Sequence, residues 1–184
     1  MGYNTDFEGS FEIKPEPLEE NLTEFLKNLG YTRRMKRNLS SNYGIDGEFY
    51  VYGEGSFGQD KEESIVDYNE PPSTQPGIWC DWVPVINYDG PSKAISIAWN
   101  GSEKTYNYIK WIQYIVENFL LPFDYWLEGE VFWQGEEIFD RGLIKIEKEN
   151  LLISKEHDST KIRLNPRTFF KENCYDTIAK SNSK

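Results

Sequence analysis

Tryptophan and carboxylate side chains lie close together in two segments of this chain, and this combination could do chemistry. Trp79, Asp81 and Trp82 fall within one predicted strand. The second segment contains Glu128, Glu130, Phe132, Trp133, Gln134, Glu136, Glu137 and Asp140. Because side chains alternate along a strand, Trp79 and Asp81 share one side of it. If that side is buried, Asp81 needs a partner, such as an arginine of residues 33–37 or Arg141.

Three interpretations of these aromatic residues stay open. An exposed tryptophan face suits the stacking of a flat ligand, such as a nucleobase or a sugar. Paired carboxylates beside tryptophan are also an arrangement of glycoside hydrolases, in which two carboxyls flank the bond that is cleaved. The residues for that reaction would be Glu128, Glu130, Glu136 and Asp140. The third interpretation is ordinary aromatic packing in the core, which accounts for most of the aromatic residues.

A basic cluster is the second candidate for chemistry. Arg33, Arg34, Lys36 and Arg37 lie in residues 31–45, a segment without any acid. The planar guanidinium group matches carboxylate and phosphate, so the cluster could clamp an anion. The alternative is structural, because cations also stabilise the C-terminus of a helix and pair with acids elsewhere in the fold.

The overall charge limits the partners of this protein. The 184 residues include 31 Asp and Glu, 20 Lys and Arg and one His, for a net charge of −11. Residues 46–92 alone hold ten acids and one base. Such a field disfavours binding to nucleic acid or to anionic lipid, and it leaves a basic protein or a small anion as partner.

Several classes of protein and site are excluded by the sequence. No apolar run is long enough to span a bilayer, and residues 1–12 do not resemble a signal peptide, so we expect a soluble cytoplasmic protein without membrane contact. Cys80, Cys174 and His157 suggest neither a disulfide framework nor a metal site. Residues 53–58 match Gly-x-Gly-x-x-Gly, but an acidic run follows instead of an apolar helix, which favours a flexible turn. No cofactor is expected.

Hydrophobic periodicity predicts the elements that must position these residues. The predicted strands are 4–13, 78–85, 94–99, 125–134, 143–147 and 151–154, with a short extra strand around Phe49 and Val51. Apolar spacing predicts a helix over 17–29 that stops at Gly30, a second helix that opens at 101–102 and ends at Pro122, and a short one over 167–179.

This order of elements favours an α+β fold. We predict a mostly antiparallel sheet of about five or six strands with two main helices on one face. Residues 1–154 would form a single domain, and residues 155–184 a polar, partly ordered C-terminal extension. Residues 53–77 look like a long surface loop, and loops of that length are usually functional or mobile.

The chain resembles a family of short acidic hypothetical proteins of bacteriophages, prophages and bacteria. The resemblance covers residues 1–154 and rests on MGYNTDF (1–7), RRMKR (33–37), QPGIWCDWVP (75–84), EKTYNY (103–108) with Trp111, GEVFWQGE (129–136) and DRG (140–142). It implies a cytoplasmic protein of a bacterial host, without an established activity. It also implies glutamine at position 81 in relatives, which weakens any catalytic role for Asp81.

We therefore expect a non-enzymatic binding protein of phage or mobile-element type that counters host defence by holding a small anionic, nucleotide-like ligand. The predicted ligand-binding residues are Arg33, Arg34, Lys36, Arg37, Trp79, Trp82, Trp133 and Arg141, with no catalytic or metal-binding residue. One alternative is an acidic inhibitor or nucleic-acid mimic that binds a basic host protein. Another is a small carboxylate-dependent hydrolase. A homo-oligomer is left open.

Overall fold

A computed structural model describes residues 2–52, 62–87, 94–176 and 178, and it confirms the α+β fold. The strands are β1 (Thr5–Lys14), β2 (Lys36–Arg37), β3 (Ile65–Asp67), β4 (Trp82–Asn87), β5 (Ala94–Trp99), β6 (Trp126–Gly135), β7 (Arg141–Lys148), β8 (Asn150–Lys155) and β9 (Asp158–Arg163). The α-helices are α1 (Glu20–Tyr31), α2 (Tyr108–Ile115) and α3 (Phe169–Asn173).

The main sheet has seven antiparallel strands in the order β4-β5-β1-β6-β7-β8-β9, and β2 pairs with β3 in a separate small sheet. β1 lies between the hairpin β4–β5 and the meander β6–β9. Phe11 is the Cα partner of Ile97 on one side and of Gly129 on the other. The strand that comes first in the chain therefore joins the two later halves of the sheet.

One face of the sheet carries the core and the other faces solvent. Phe11, Ile97, Val131 and Ile144 are buried in a single cluster with the apolar residues of α1 and α2. The alternate residues of the central strands, such as Glu8, are exposed. This is the result of strand alternation, which places every second side chain on the opposite face.

Two glycines on facing strands allow β1 and β6 to approach closely. Gly9 has φ of +110° and Gly129 has φ of +140°, which are conformations that L side chains rarely adopt. A Cβ at Gly129 would lie 2.7 Å from the Ser10 carbonyl oxygen, and one at Gly9 would lie 2.5 Å from the Glu130 carbonyl oxygen. Neither position has room for a side chain.

The first helix differs from the prediction at both ends. α1 begins at Glu20 rather than at Pro17, and it continues to Tyr31, so Gly30 lies inside it and is not its stop. A Cβ at Gly30 would lie 2.7 Å from the Trp82 carbonyl oxygen. The glycine therefore serves close packing of α1 against β4 rather than helix termination.

The second helix also begins later than predicted. α2 starts at Tyr108, so residues 100–107 form a loop and not its first turns. After Ile115 the chain continues in a wide π-type turn over Val116–Leu120, and a 3₁₀ turn over Leu121–Phe123 contains Pro122. The predicted apolar stripe is confirmed, since these turns stay buried through Leu120.

The segment between α1 and β4 is irregular. Phe49 and Val51 are buried as expected for a strand, but they belong to no strand, and the predicted strand there is wrong. Part of the predicted 53–77 loop is ordered, because β3 pairs with β2 and Gln75 is buried. Residues 53–61, including the Gly-x-Gly-x-x-Gly match, lie outside the described residues.

The sheet continues past residue 154, where the sequence predicts a polar extension. β9 pairs with β8 along its whole length, which raises the main sheet to seven strands instead of five or six. After it, Leu164 and Phe170 are buried in the core cluster. Residues 1, 88–93, 177 and 179–184 also lie outside the described part of the chain.

Candidate functional site

Two adjoining cavities meet at Trp79 and Asp81, where the segment before β4 runs past the 100–107 loop. They measure about 500 Å³ and 410 Å³, and they share Trp79, Asp81 and Lys104. The first cavity is also lined by Gly30, Tyr31, Asn100, Ser102 and Glu103. The second is also lined by Pro71, Gly77, Ile78, Tyr106 and Asn107. We call these two cavities together the Trp79–Asp81 pocket.

Asp81 is the most unusual residue of this pocket. It is only 4% exposed, and its φ of +57° is uncommon for a residue with a side chain. Asn100 Nδ2 donates a 3.4 Å hydrogen bond to Asp81 Oδ1, but Oδ2 is buried without a hydrogen-bond partner among the described residues. The arginine expected beside Asp81 is not among the partners found for it. The positive φ and the unsatisfied carboxylate oxygen of Asp81 both lower the stability of the folded protein, and such features are typical of functional sites.

Burial determines the protonation of Asp81. Desolvation raises the pKa of its carboxyl, and the neighbouring Ser102 hydroxyl and Asn100 amide only partly oppose this effect. The folded protein therefore holds a proton on Asp81 to a higher pH than the unfolded chain does. A ligand that donates a hydrogen bond to Oδ2 would favour the charged carboxylate and would remove the unsatisfied acceptor.

A buried donor without a partner lies beside the same pocket. Trp111 is fully buried, and its Nε1–H has no acceptor among the described residues. This nitrogen lies 3.6 Å from the position that a Cβ would take at Gly77, which lines the pocket. Asn107 has φ of +55°, and its side-chain N–H donates a hydrogen bond to the Pro76 carbonyl at 2.8 Å. This bond links the 100–107 loop to the segment before β4.

Aromatic and cationic side chains form the rim of the pocket. Trp79 is half-buried, and Tyr31 and Tyr106 are each 52% exposed. The guanidinium carbon of Arg33 lies 4.0 Å from the Tyr68 ring centre and 5.8 Å from that of Trp79. Lys104 is exposed and lines both cavities. The pocket thus combines flat apolar faces, two cations at its edge and a carboxylate within.

The three arginines of the predicted clamp all contact the protein itself. Arg33 donates from Nε and Nη2 to the Tyr68 carbonyl, at 3.2 Å each. Arg34 is 2% exposed, and its guanidinium donates to Gln75 Oε1 at 3.0 Å and to the Glu48 carbonyl at 2.8 Å. Arg37 is buried, pairs with Glu62 at 2.6 Å and lies over the Tyr50 ring. Through Gln75 and Glu62, these contacts attach the 62–78 segment to the chain that follows α1.

Lys36 lies in the two-stranded sheet, where its backbone N–H donates to the Glu70 carbonyl at 2.9 Å. Its side chain is half-buried. Of the four bases in the cluster, Arg33 is the one that lies beside Trp79, and the cluster as a whole does not surround one cavity.

The remaining predicted site residues lie elsewhere. Trp82 is buried in the core, where its Nε1–H donates to the Tyr108 carbonyl at 3.1 Å. Trp133 is also buried and packs on Tyr108, and it lines a groove of about 580 Å³ together with Arg141. The eight predicted residues are therefore distributed between the pocket, the interior, this groove and, for Lys36, the two-stranded sheet.

Of the four carboxylates of the hydrolase alternative, Glu128 and Glu130 line one cavity of about 350 Å³ together with Lys145, and Glu136 and Asp140 are not part of its lining. Glu128 accepts a hydrogen bond from Trp126 Nε1, and Glu130 pairs with Lys145 at 3.4 Å. Glu136 accepts from the Asn4 backbone N–H, and Asp140 accepts from the Tyr3 hydroxyl at 2.7 Å. Each carboxylate thus has a protein partner of its own.

The sequence analysis identified Trp79 and Asp81 but missed Lys104 and Trp111. The sequence does contain a signal for this loop, the Asn100–Gly101 pair directly after β5, which is typical of a turn. A turn at this point predicts that α2 starts after residue 104. The 100–107 loop places Lys104 opposite the segment before β4, and Trp111 on the first turn of α2 lies beside Gly77.

Within residues 2–52, 62–87, 94–176 and 178, no three His, Cys, Asp or Glu side chains are grouped so that they could hold a metal ion. None of the helices among them is long and apolar enough to cross a bilayer. Comparison with protein-family models, curated proteins and solved structures finds no significant match to this chain.

Proposed function

We propose that this protein binds a small anionic, nucleotide-like ligand in the Trp79–Asp81 pocket without transforming it. The observation that carries the proposal is the buried Asp81 carboxylate, whose Oδ2 has no partner among the described residues and which lines both cavities beside Trp79. A buried acceptor without a donor costs about 1–3 kcal/mol. Donation by a bound ligand would offset that cost.

The chemistry of the pocket fits the parts of a nucleotide. A base could stack on Trp79, as bases do on aromatic side chains in nucleic-acid-binding proteins. Its N–H groups would donate to Asp81 Oδ2. Lys104 and Arg33 at the rim would attract the phosphate. The anion contacts thus come from these two residues and not from the whole basic cluster.

The resemblance to phage and prophage proteins suggests a setting for this binding. A protein that holds a nucleotide without converting it would lower the free concentration of that nucleotide in a bacterial host. Host defences that use nucleotide signals would then be weakened. The proposed role is therefore counter-defence by sequestration.

Replacement of Trp79 by alanine tests the stacking contact. We expect one or more members of a panel of linear and cyclic nucleotides to raise the melting temperature of the wild-type protein. The Trp79→Ala variant should bind that nucleotide at least about tenfold more weakly, because base stacking on an aromatic residue contributes roughly 1–3 kcal/mol. Isothermal titration calorimetry measures the difference.

Trp126→Ala provides the matched control, since Trp126 is a half-buried tryptophan of β6 outside the pocket. Lys104→Ala should weaken nucleotide binding and reduce its salt dependence, whereas Lys27→Ala on α1 should change neither. If no nucleotide stabilises the wild-type protein, or if Trp79→Ala binds as tightly as wild type, the proposal is wrong.

Replacement of Asp81 by asparagine should separate stability from binding. Because burial raises the pKa of Asp81 in the folded state, its ionisation lowers stability as pH rises above the unfolded pKa of about 4. Asp81→Asn cannot ionise, and asparagine tolerates positive φ well. We expect it to raise the free energy of unfolding at pH 7, where Asp81 of the wild type is forced to ionise, and to raise it less at pH 3. Urea denaturation at the two pH values measures this.

The same variant should bind nucleotide at least about fivefold more weakly, since the charged acceptor is lost. Residues that serve a ligand are often unfavourable for folding, so this combination of changes indicates a binding residue. A variant that is less stable than wild type at pH 7 would contradict the interpretation and would make Asp81 a structural residue.

A further inference from the structure

The solvent-facing side of the main sheet is the second surface that the fold leaves open. Its side chains come from alternate positions of β1, β6 and β7, and the helices pack on the other face. The acidic members are Asp6, Glu8, Glu12, Glu128, Glu130 and Glu147, and the basic members are Lys14, Arg141 and Lys145. We call this surface the acidic face.

Like charges are placed directly opposite one another on the acidic face. Glu12 is the cross-strand partner of Glu128, and Glu128 is in turn the partner of Glu147. Like-charged pairs in this position destabilise a sheet. Lys145 offsets part of the repulsion, since it lies 2.9 Å from Glu147 and 3.4 Å from Glu130. Glu12 pairs with Lys14 at 3.0 Å and Glu128 accepts a hydrogen bond from Trp126 Nε1, so each of the three carboxylates has a protein partner while the like charges stay opposed.

An apolar groove lies within the acidic face. It measures about 580 Å³, and its lining includes Phe132 and the adjacent Leu143 of β7. Phe132 is 56% exposed, although it lies at the centre of a seven-stranded sheet. Glu8 and Asp6 lie on the β1 side of the groove. Apolar centres with charged rims are typical of protein–protein interfaces.

We propose that the acidic face binds a basic protein surface, which inserts an apolar side chain into the groove at Phe132. Lysine and arginine side chains of the partner would neutralise the opposed carboxylates and relieve their repulsion. A second copy of this chain, packed face to face, would bring acids against acids. The partner is therefore a different protein, and its complementary features are an apolar anchor surrounded by positive charge.

A peptide experiment tests both halves of this proposal. The probe is a fluorescently labelled seven-residue peptide of alternating lysine and leucine, and its binding to the full chain is followed by fluorescence anisotropy at low and high salt. The comparison peptides replace leucine by serine or lysine by glutamate. We expect the Lys-Leu peptide to bind more tightly than either, with affinity that falls as salt increases.

Variants locate the binding on the surface. Phe132→Ser should weaken binding of the Lys-Leu peptide about tenfold, whereas Val66→Ser, which removes an apolar side chain that is 68% exposed on β3, should not. The double variant Glu128→Gln/Glu130→Gln should reduce the salt dependence of binding. Glu128→Gln alone should not lower the melting temperature, because it removes like-charge repulsion.

The proposal is overturned if the Lys-Leu and Lys-Ser peptides bind equally, or if Phe132→Ser binds like the wild-type protein. It is also overturned if sedimentation velocity shows a dimer that Phe132→Ser dissociates, since the occupant would then be a second copy. None of these measurements involves the Trp79–Asp81 pocket, so this proposal and the proposed nucleotide binding can fail separately.

Discussion

Replacing Arg34 by alanine should lower the free energy of unfolding by about 3–5 kcal/mol at pH 7. The substitution removes a buried side chain and leaves Gln75 Oε1 without its donor, while the Glu48 carbonyl loses one donor and keeps the Gln75 side-chain amide. Burial lowers the pKa of Arg34 to about 10. The burial of its positive charge is therefore unfavourable, and the hydrogen bonds to its partners offset that unfavourable free energy. A loss of this size is a large part of the stability of a typical domain.

The effect should depend on pH through Glu48, which accepts a hydrogen bond from the Tyr114 hydroxyl at 2.6 Å. Burial raises the pKa of Glu48, and the charge of Arg34 opposes that rise. Without Arg34 the pKa of Glu48 rises further, so the folded state loses more stability as pH increases above the unfolded pKa of about 4.3. Urea denaturation should therefore show a smaller effect of Arg34→Ala at pH 4 than at pH 7.

Arg141→Ala is the matched control for this prediction. The Arg141 side chain is 55% exposed, and its 3.7 Å contact with Glu156 is a surface ion pair, so its loss should change the free energy of unfolding by less than about 0.5 kcal/mol. If Arg34→Ala is equally mild, the buried network does not stabilise the fold.

Replacing Gly129 by alanine should lower the free energy of unfolding by about 3 kcal/mol. The new Cβ would be strained by the φ of +140° and would lie 2.7 Å from the Ser10 carbonyl oxygen. That oxygen belongs to the backbone of the neighbouring central strand, so it cannot move without displacing β1. Thermal and urea denaturation measure the effect.

Gly101→Ala separates the backbone strain at positive φ from the steric clash of the new Cβ. Gly101 has φ of +85°, but no atom lies within 4 Å of the position that its Cβ would take. This variant should therefore lose only the conformational contribution, about 1 kcal/mol. Equal losses at Gly101 and Gly129 would mean that the approach of β1 to β6 does not matter.

Much of the sheet could be predicted because its buried positions alternate with polar ones. Phe7, Phe11 and Ile13 in β1 show this pattern directly. β9 could not be recognised, since its sequence DSTKIR lies at the sheet edge and is almost wholly exposed. Phe49 was misassigned for the opposite reason, because a buried aromatic residue in irregular backbone has the same local pattern as one in a strand.

The candidate site could be predicted only in part. Trp79 and Asp81 stand out in the sequence as an aromatic residue beside a carboxylate, and the structure places both at the pocket. The basic cluster of residues 33–37 shows why the other site residues could not be predicted from the sequence. A surface anion clamp and a buried network use the same arginines, and only tertiary contacts show that Arg34 serves the interior.

The central place of β1 has a consequence for the order in which the protein folds. β1 is synthesised before its partner strand β6, which follows about 110 residues later, since Lys14 pairs with Trp126. At roughly 5–20 residues per second, β1 waits on the order of 5–20 s for β6 during translation. The hairpin β4–β5 and the meander β6–β9 contain local contacts and can form first. We therefore expect closure of this long loop to limit the folding rate.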